Sequence, residues 1–387
     1  MFKIVIPNTF YQLVRLNYLL RIWSDSESPD WREHCLHLIY FFYLVGFMVA
    51  VAVGSYATSD KDESVFLVVL AIVYFVMVYR LRYILWQRKD FIYLIEQIGT
   101  SYTEDQNEFV KMSDELIFFT KIVRGYLGFA LSGSVPAVFL YPFFNEKRSL
   151  LFNIAFPFDR TKSEIAFWMA YLFVVGGLLW AALCIFFTVK TWYLMLCLSV
   201  KYKMLGNRFR NLGKLKEDES QKKISTAERH RVFYRDLIVA IRTYDHINSV
   251  LNTFASNLEN LFFLQVLTGA ISICGGIYTL AFSRHENMVL DGYNCAFLVY
   301  SIFDIYMIMY LGNEIKFSSD QLSYRLLESD WIEQSALCKK SIIILTERLK
   351  RPQELTVGKL YPMNLSTFTS IARGAYSMLN VLQHFRS

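Results

Sequence analysis

Apolar residues gather in runs long enough to cross a bilayer, separated by stretches where polar residues return. A helix needs about 20 mainly apolar residues to span the hydrocarbon core. Seven runs reach that length: 36–57, 64–86, 117–142, 165–199, 259–283, 291–312 and the more polar 364–385. Run 165–199 exceeds what the bilayer needs, so its end is expected to continue as helix into water, past Lys190 and Lys201. The intervening segments keep helical spacing. Val232, Phe233, Leu237, Ile238, Ile241 and Tyr244 fall on one face, and Leu322, Leu326, Trp331, Leu337 and Ile342 to Leu345 repeat the pattern over 320–350. Such faces need a partner, either one another or a second subunit. The pattern predicts an all-α membrane protein: a single heptahelical domain over 1–387 with seven transmembrane helices, and a helical anchor region from 200–258 and 313–362.

Composition agrees. Hydrophobic residues make up 54% and charged residues 19%, with a mean hydropathy of +0.30. So few charges could not cover that apolar surface in water. Charge distribution then sets the orientation. Even-numbered and odd-numbered loops differ sharply: 27 Lys and Arg lie in 1–35, 87–116, 200–250 and 313–362, against 7 on the other side. The positive-inside rule places the first set, and the N-terminus, in the cytoplasm and the C-terminus outside. Arg15 and Arg21 interrupt the only apolar stretch before residue 36, so no cleaved signal is expected and the first span is retained. The net charge of +6 is modest and gives no reason to expect nucleic acid.

There is no phosphate loop, nucleophile motif or metal-ligand spacing, so no enzyme, cofactor or metal site is expected. The six cysteines lack paired spacing, and those inside runs read as small buried hydrophobes. Asp304 is the ionisable residue that stands out, in the cytoplasmic half of the sixth run; it is either a functional group or, on the plainer reading, one half of a salt bridge or a residue in a wet vestibule.

The seventh run carries the most information. At about 100° per residue, Ser366, Thr369, Ser370, Arg373, Ser377, Asn380 and His384 fall within an arc of about 100°, opposite Phe368, Ile371, Ala372, Ala375, Leu379 and Leu382. A polar stripe of that length cannot face lipid. It faces either water or polar partners on other helices, and seven residues exceed what helix-to-helix hydrogen bonding needs. A lone helix cannot enclose a pore, so a pore here implies several subunits around an axis. The outer halves of other runs are aromatic and carry a few hydroxyls: Tyr74 and Phe75; Ser132, Ser134, Pro136, Phe139 and Tyr141; Trp168 and Tyr171; Tyr293, Phe297 and Tyr300. As a group they could form an apolar pocket for a small ligand; singly, each reads as packing or as an interfacial aromatic.

The run LLESDWIEQS, Leu326 to Ser335, and the closing segment with Arg351-Pro352, Gly358-Lys359, Leu365-Ser366, Phe368, Ile371 and Tyr376-Ser377 resemble the C-terminal signature of insect odorant receptors. The resemblance implies tetrameric, odorant-gated, non-selective cation channels of the plasma membrane of olfactory neurons. Odour-tuned members assemble with co-receptor subunits as a heterotetramer, and this chain resembles an odour-tuned member. It also implies a cytoplasmic anchor joining subunits and a last helix lining the pore. On this basis the odorant site is expected at Ala71, Tyr74, Phe75, Ser132, Pro136, Phe139, Tyr171, Val175, Phe297 and Tyr300, and the pore lining at Ser377, Asn380, Gln383 and His384. Membrane lipid and a small volatile molecule are the other implied partners.

Insect gustatory receptors share the architecture, but their usual ending departs from this chain after Tyr376. A G-protein-coupled receptor would need the opposite orientation, and a secondary transporter would show an internal repeat, which is absent.

Overall fold

The computed structural model describes residues 2–5, 7–23, 31–58, 61–103, 105–144, 150, 154–158, 163–213, 226–282 and 288–386. Each apolar run lies inside a helix to within one residue at its ends. The helices are α1 (Asn8–Leu19), α2 (Trp31–Ala57), α3 (Lys61–Trp86), α4 (Arg88–Ile98), α5 (Gln106–Phe144), α6 (Glu164–Arg210), α7 (Thr226–Phe282), α8 (Met288–Leu327), α9 (Ala336–Leu349) and α10 (Leu365–Arg386). The seven runs correspond to α2, α3, α5, α6, α7, α8 and α10. Among the described residues, five helices are long and apolar enough to cross a membrane.

Spans and anchor are not separate pieces. The 57 residues of α7 extend for about 85 Å at 1.5 Å per residue, against about 30 Å of hydrocarbon. So α6, α7 and α8 each leave the membrane as unbroken helix. The centre of the bundle is α6, which packs chiefly on α8. From Phe187 to Val200 every residue of α6 is buried, as expected of a helix that is apolar all round. The Ser199 and Ser318 hydroxyls meet at 3.0 Å where α6 crosses α8.

Lys190 departs from expectation. It does not reach water: its exposure is 0%. Its ammonium lies over the Trp23 ring at 5.2 Å and near Phe187 at 5.9 Å. The N-terminal segment explains this, because Trp23 docks by donating its indole N–H to the Ile84 carbonyl at 3.1 Å and so roofs the lysine. Further along α6, Lys203 bridges Glu115 of α5 and Glu314 of α8. Burial works to lower the pKa of that ammonium, but the two carboxylates outweigh burial and hold it above its ordinary value. Its contribution to stability is therefore lost only as pH rises past the lysine range.

Helical spacing over 320–350 is interrupted. The chain turns between Leu327 and Ala336, and the Ser335 hydroxyl accepts the Cys338 N–H at 3.4 Å to start α9. Ile342 and Leu345 then face the core, while Leu337 (80% exposed), Ile343 and Ile344 face outward.

Two small antiparallel sheets join the helices: β1 (Phe2–Val5) with β2 (Thr100–Thr103), and β3 (Thr356–Val357) with β4 (Tyr361–Pro362). The second accounts for Gly358-Lys359. Both residues adopt φ of +57°, which Lys359 accommodates with its side chain in place; at Gly358 the Phe263 ring also occupies the space a side chain would fill, so that position needs the glycine. This hairpin sits on α7 and delivers the chain to α10, whose first turn is capped by Asn364: its Oδ1 accepts the Thr367 N–H at 2.9 Å. Asn364 also heads the sequon Asn364-Leu365-Ser366. On the cytoplasmic face it is expected to carry no sugar, and a mass shift on glycosidase treatment would reverse the orientation. Asn364→Ala should cost about 1 kcal/mol through loss of the cap, read as a lower detergent-extracted melting temperature.

Candidate functional site

The described cavity lies between α3, α7 and α8. It is small, with a volume of about 30 Å³. Small residues on α7 make the approach of its walls possible. At Gly269 a side chain would collide with Ile305 of α8, and at Gly275 with Val69 of α3. One end of the cavity is apolar, with Val73, Val76 and Met77 from α3 and Phe297 from α8. Phe297 is held edge-on against Phe66 at 6.1 Å. The wall continues through Tyr300, which stacks on Tyr126 of α5 at 5.7 Å; Tyr126 in turn stacks on Phe303 and leans on Trp192 of α6.

The other end is polar. Asp304 of α8 is 7% exposed. Its Oδ2 accepts the Gln265 side-chain N–H at 2.7 Å, and the Arg80 guanidinium of α3 lies 3.9 Å from the same oxygen. Asp304 is thus one half of an internal salt bridge and at the same time part of the cavity lining. A buried pair of this kind compensates charge, and each partner alone would be costly. Thr268, Ser272 and Ser301 add hydroxyls to the lining, with Thr268 and Ser301 donating to carbonyls of their own helices.

Of the ten residues expected at the odorant site, the structure brings Phe297 and Tyr300 to this cavity. Tyr74 is buried one turn away, against Phe47 of α2 at 4.6 Å. Ala71 and Val175 are half-buried in the packing between helices. Tyr171 is buried, and its hydroxyl donates to the Phe139 carbonyl at 3.4 Å, but the Phe139 ring is itself exposed. Phe75 turns away at 52% exposure, because neighbours on a helix point about 100° apart and Tyr74 takes the inward position. Ser132 is exposed and donates to Phe129 of its own helix at 3.2 Å. The Pro136 side chain lies outside the described residues. Val73, Val76, Met77, Arg80, Gln265, Thr268, Gly269, Ser272 and Ser301 were not singled out in the sequence; helical phase from Phe297 would have led to Ser301 and Asp304, but nothing local marks the α7 residues.

α10 packs on α7 and α8. Ala375 is buried and Phe368 and Ile371 half-buried on that side, with Phe368 edge-on to Tyr306 at 5.5 Å. Ser366, Thr369, Ser370, Arg373 and Ser377 are exposed on the opposite side. The polar stripe is therefore turned away from the chain's own bundle as far as it is described. The side chains of Asn380, Gln383 and His384 lie outside the described residues.

A family model described as 7tm Odorant receptor matches residues 62–376. The chain belongs to that family. Odorant receptor 94a of Drosophila melanogaster is 24% identical to it over 93% of this chain and 92% of its own length. Odorant receptor 23a of the same species is 27% identical, over 70% and 68%. The insect olfactory receptor OR5 from Machilis hrabei, solved in complex with eugenol, superposes with a TM-score of 0.77 at 14% identity, covering 97% of this chain and 98% of that one. This likeness gives the odorant receptor the seven-helix membrane fold of those structures, and with it a multi-pass membrane location.

Proposed function

We propose that this odorant receptor is the odour-tuning subunit of a ligand-gated, non-selective cation channel, working in a plasma-membrane heterotetramer with co-receptor subunits. A small volatile molecule enters the cavity beside Phe297 and Tyr300. It favours one packing of α3, α7 and α8 over another, and only such differential affinity can shift the equilibrium. Because α10 rests on α7 and α8, that shift reaches the pore. The observation carrying this reading is the exposed stripe of α10, Ser366, Thr369, Ser370, Arg373 and Ser377, on the side opposite its packing face. Its continuation through Asn380, Gln383 and His384 completes the proposed pore lining. The exposed Leu337, Ile343 and Ile344 of α9 offer an apolar surface for neighbouring subunits in the anchor. The eugenol complex of the Machilis hrabei receptor supports a small organic ligand within this fold. The reading contains no catalytic step.

Current recording from cells making this chain with and without the co-receptor tests the proposal, against a panel of aromatic and aliphatic volatiles. Odorant-evoked cation current in the pair is the expected result; surface-delivered pairs silent to every volatile would sink it. Within an active pair, Phe297→Ala and Tyr300→Ala should each raise the half-maximal odorant concentration about tenfold, through lost apolar contact. Phe75→Ala should leave it unchanged. Identical dose–response curves for all three would move the ligand elsewhere.

A further inference from the structure

Residues 1–23 carry the bases Lys3, Arg15 and Arg21 and no acid. Their helix, α1, is two-sided. Phe10, Leu13 and Asn17 are buried against the bundle. Tyr11, Arg15 and Leu19, four residues apart on another face, are exposed, Leu19 at 73%. Both ends of the segment are fixed at one depth. Near its start the Phe10 ring packs edge-on to Tyr193 of α6 at 5.6 Å. At its far end Trp23 covers Lys190, which lies only about 4.5 Å from Tyr193 along the α6 axis. α1 therefore crosses the bundle sideways instead of running along it.

That depth is the inner edge of the membrane. About 20 residues of α6 counted from Glu164 span the hydrocarbon, which brings its inner edge to within two turns of Lys190. α3 ends at the same level: Trp23 docks on Ile84, Trp86 is the last residue, and Arg88, Lys89 and Asp90 follow. The exposed bases on α1 and its neighbour α5 are Arg15, Arg21, Lys121 and Arg124, and Arg124 reaches α1 by donating to the Thr9 hydroxyl at 3.0 Å. Among the described residues none of these four has a carboxylate partner. Exposed Leu19 and Tyr11 beside an unpaired guanidinium make a poor surface for water and a good one for a bilayer interface, where apolar groups enter between headgroups and bases meet phosphate. A second copy of this face would bring only like charge. We propose that α1 is an interfacial helix that binds anionic phospholipid headgroups of the cytoplasmic leaflet through Arg15, Arg21, Lys121 and Arg124, with Tyr11 and Leu19 among the upper acyl chains. The inference needs the cytoplasmic N-terminus but not the channel reading.

The test places the full chain with its co-receptor in nanodiscs of phosphatidylcholine alone, or of an equal mixture with phosphatidylserine, and follows hydrogen exchange along this chain. A base near an anionic surface favours the bound state about fivefold, so exchange over residues 8–23 should slow by at least about that factor in the mixed membrane. High salt should return it to the phosphatidylcholine rate, because screening acts on exposed charges. α9 (Ala336–Leu349), in the anchor, should not change. The variant Arg15→Gln/Arg21→Gln/Lys121→Gln leaves the buried face of α1 untouched and should exchange alike in both membranes. The proposal is overturned if wild-type residues 8–23 exchange at one rate in both membranes, which is also what a subunit covering this face would give. It is equally overturned if α9 slows as much as α1, or if the phosphatidylserine effect survives in the variant or in high salt. The wild-type comparison and its salt arm decide the matter even where the variant does not fold.

Discussion

Arg80→Met alone will abolish delivery of this odorant receptor to the cell surface, and Asp304→Leu added to it will restore most of that delivery. Arg80 and Asp304 belong to different helices, α3 and α8, and both are nearly closed off from solvent. Their attraction at 3.9 Å is not strong evidence of net stabilisation, because desolvating both charges offsets most of it. The asymmetry lies in breaking the pair. Removing one partner strands the other as a buried charge, at a cost of about 3–5 kcal/mol, while replacing both with apolar groups of similar size is often neutral. Typical domain stability is only about 5–15 kcal/mol, so the single change consumes a large share of it. Gln265 alone cannot rescue Asp304, since its neutral amide donates to a single carboxylate oxygen and brings no positive charge. Surface labelling of wild type, both single variants and the double variant checks this. Equal delivery of Arg80→Met and wild type would mean that Asp304 is not held as a charge in the folded bundle.

That pair also marks where the sequence stops being legible. Apolar run length was enough to place α2, α3, α5, α6, α7, α8 and α10, because a bilayer sets a minimum length and a helix satisfies its own backbone. The stripe on α10 was equally plain, because it is a property of one helix and its period. The cavity is a property of three. Asp304 stood out as an ionisable residue within a span, but Arg80 reads locally as one more positive charge near a cytoplasmic boundary. Gln265 has no charge to draw attention and lies 39 residues before the oxygen it serves. The aromatic cluster misled in part for a similar reason: Tyr74 and Phe75 are chemically alike, and only the helix phase, set by packing on Phe47, turns one inward and the other out. The pairing of β1 with β2 is still less readable, since it joins residues 2–5 to 100–103 and neither segment has strong strand character by itself.

Gly312→Ala will remove odorant-evoked current, whereas Gly292→Ala, on the same helix, will not. In both cases alanine gains up to about 1 kcal/mol in helix propensity over glycine. The surroundings decide the sign. A Cβ at Gly292 meets nothing within 4 Å, whereas at Gly312 it would lie 2.5 Å from the Met363 carbonyl oxygen and 2.6 Å from the Met363 Cβ. These are backbone and near-backbone atoms, unable to rotate away. Met363 is buried, bonded through its N–H to the Leu355 carbonyl at 2.8 Å, and followed directly by the Asn364 cap of α10. The methyl group must therefore push the start of α10 off α8. Overpacking of this kind costs about 1–3 kcal/mol, which outweighs the propensity gain. Its functional effect is larger than its effect on folding, because the displaced element is the proposed pore helix where it rests on the helix that carries Phe297, Tyr300 and Asp304. A fall in peak current of more than about tenfold, at near-normal surface level, is the outcome this contact implies. Normal gating by Gly312→Ala would mean that the junction of α8 with the base of α10 gives way freely, and that ligand binding reaches the pore by another route.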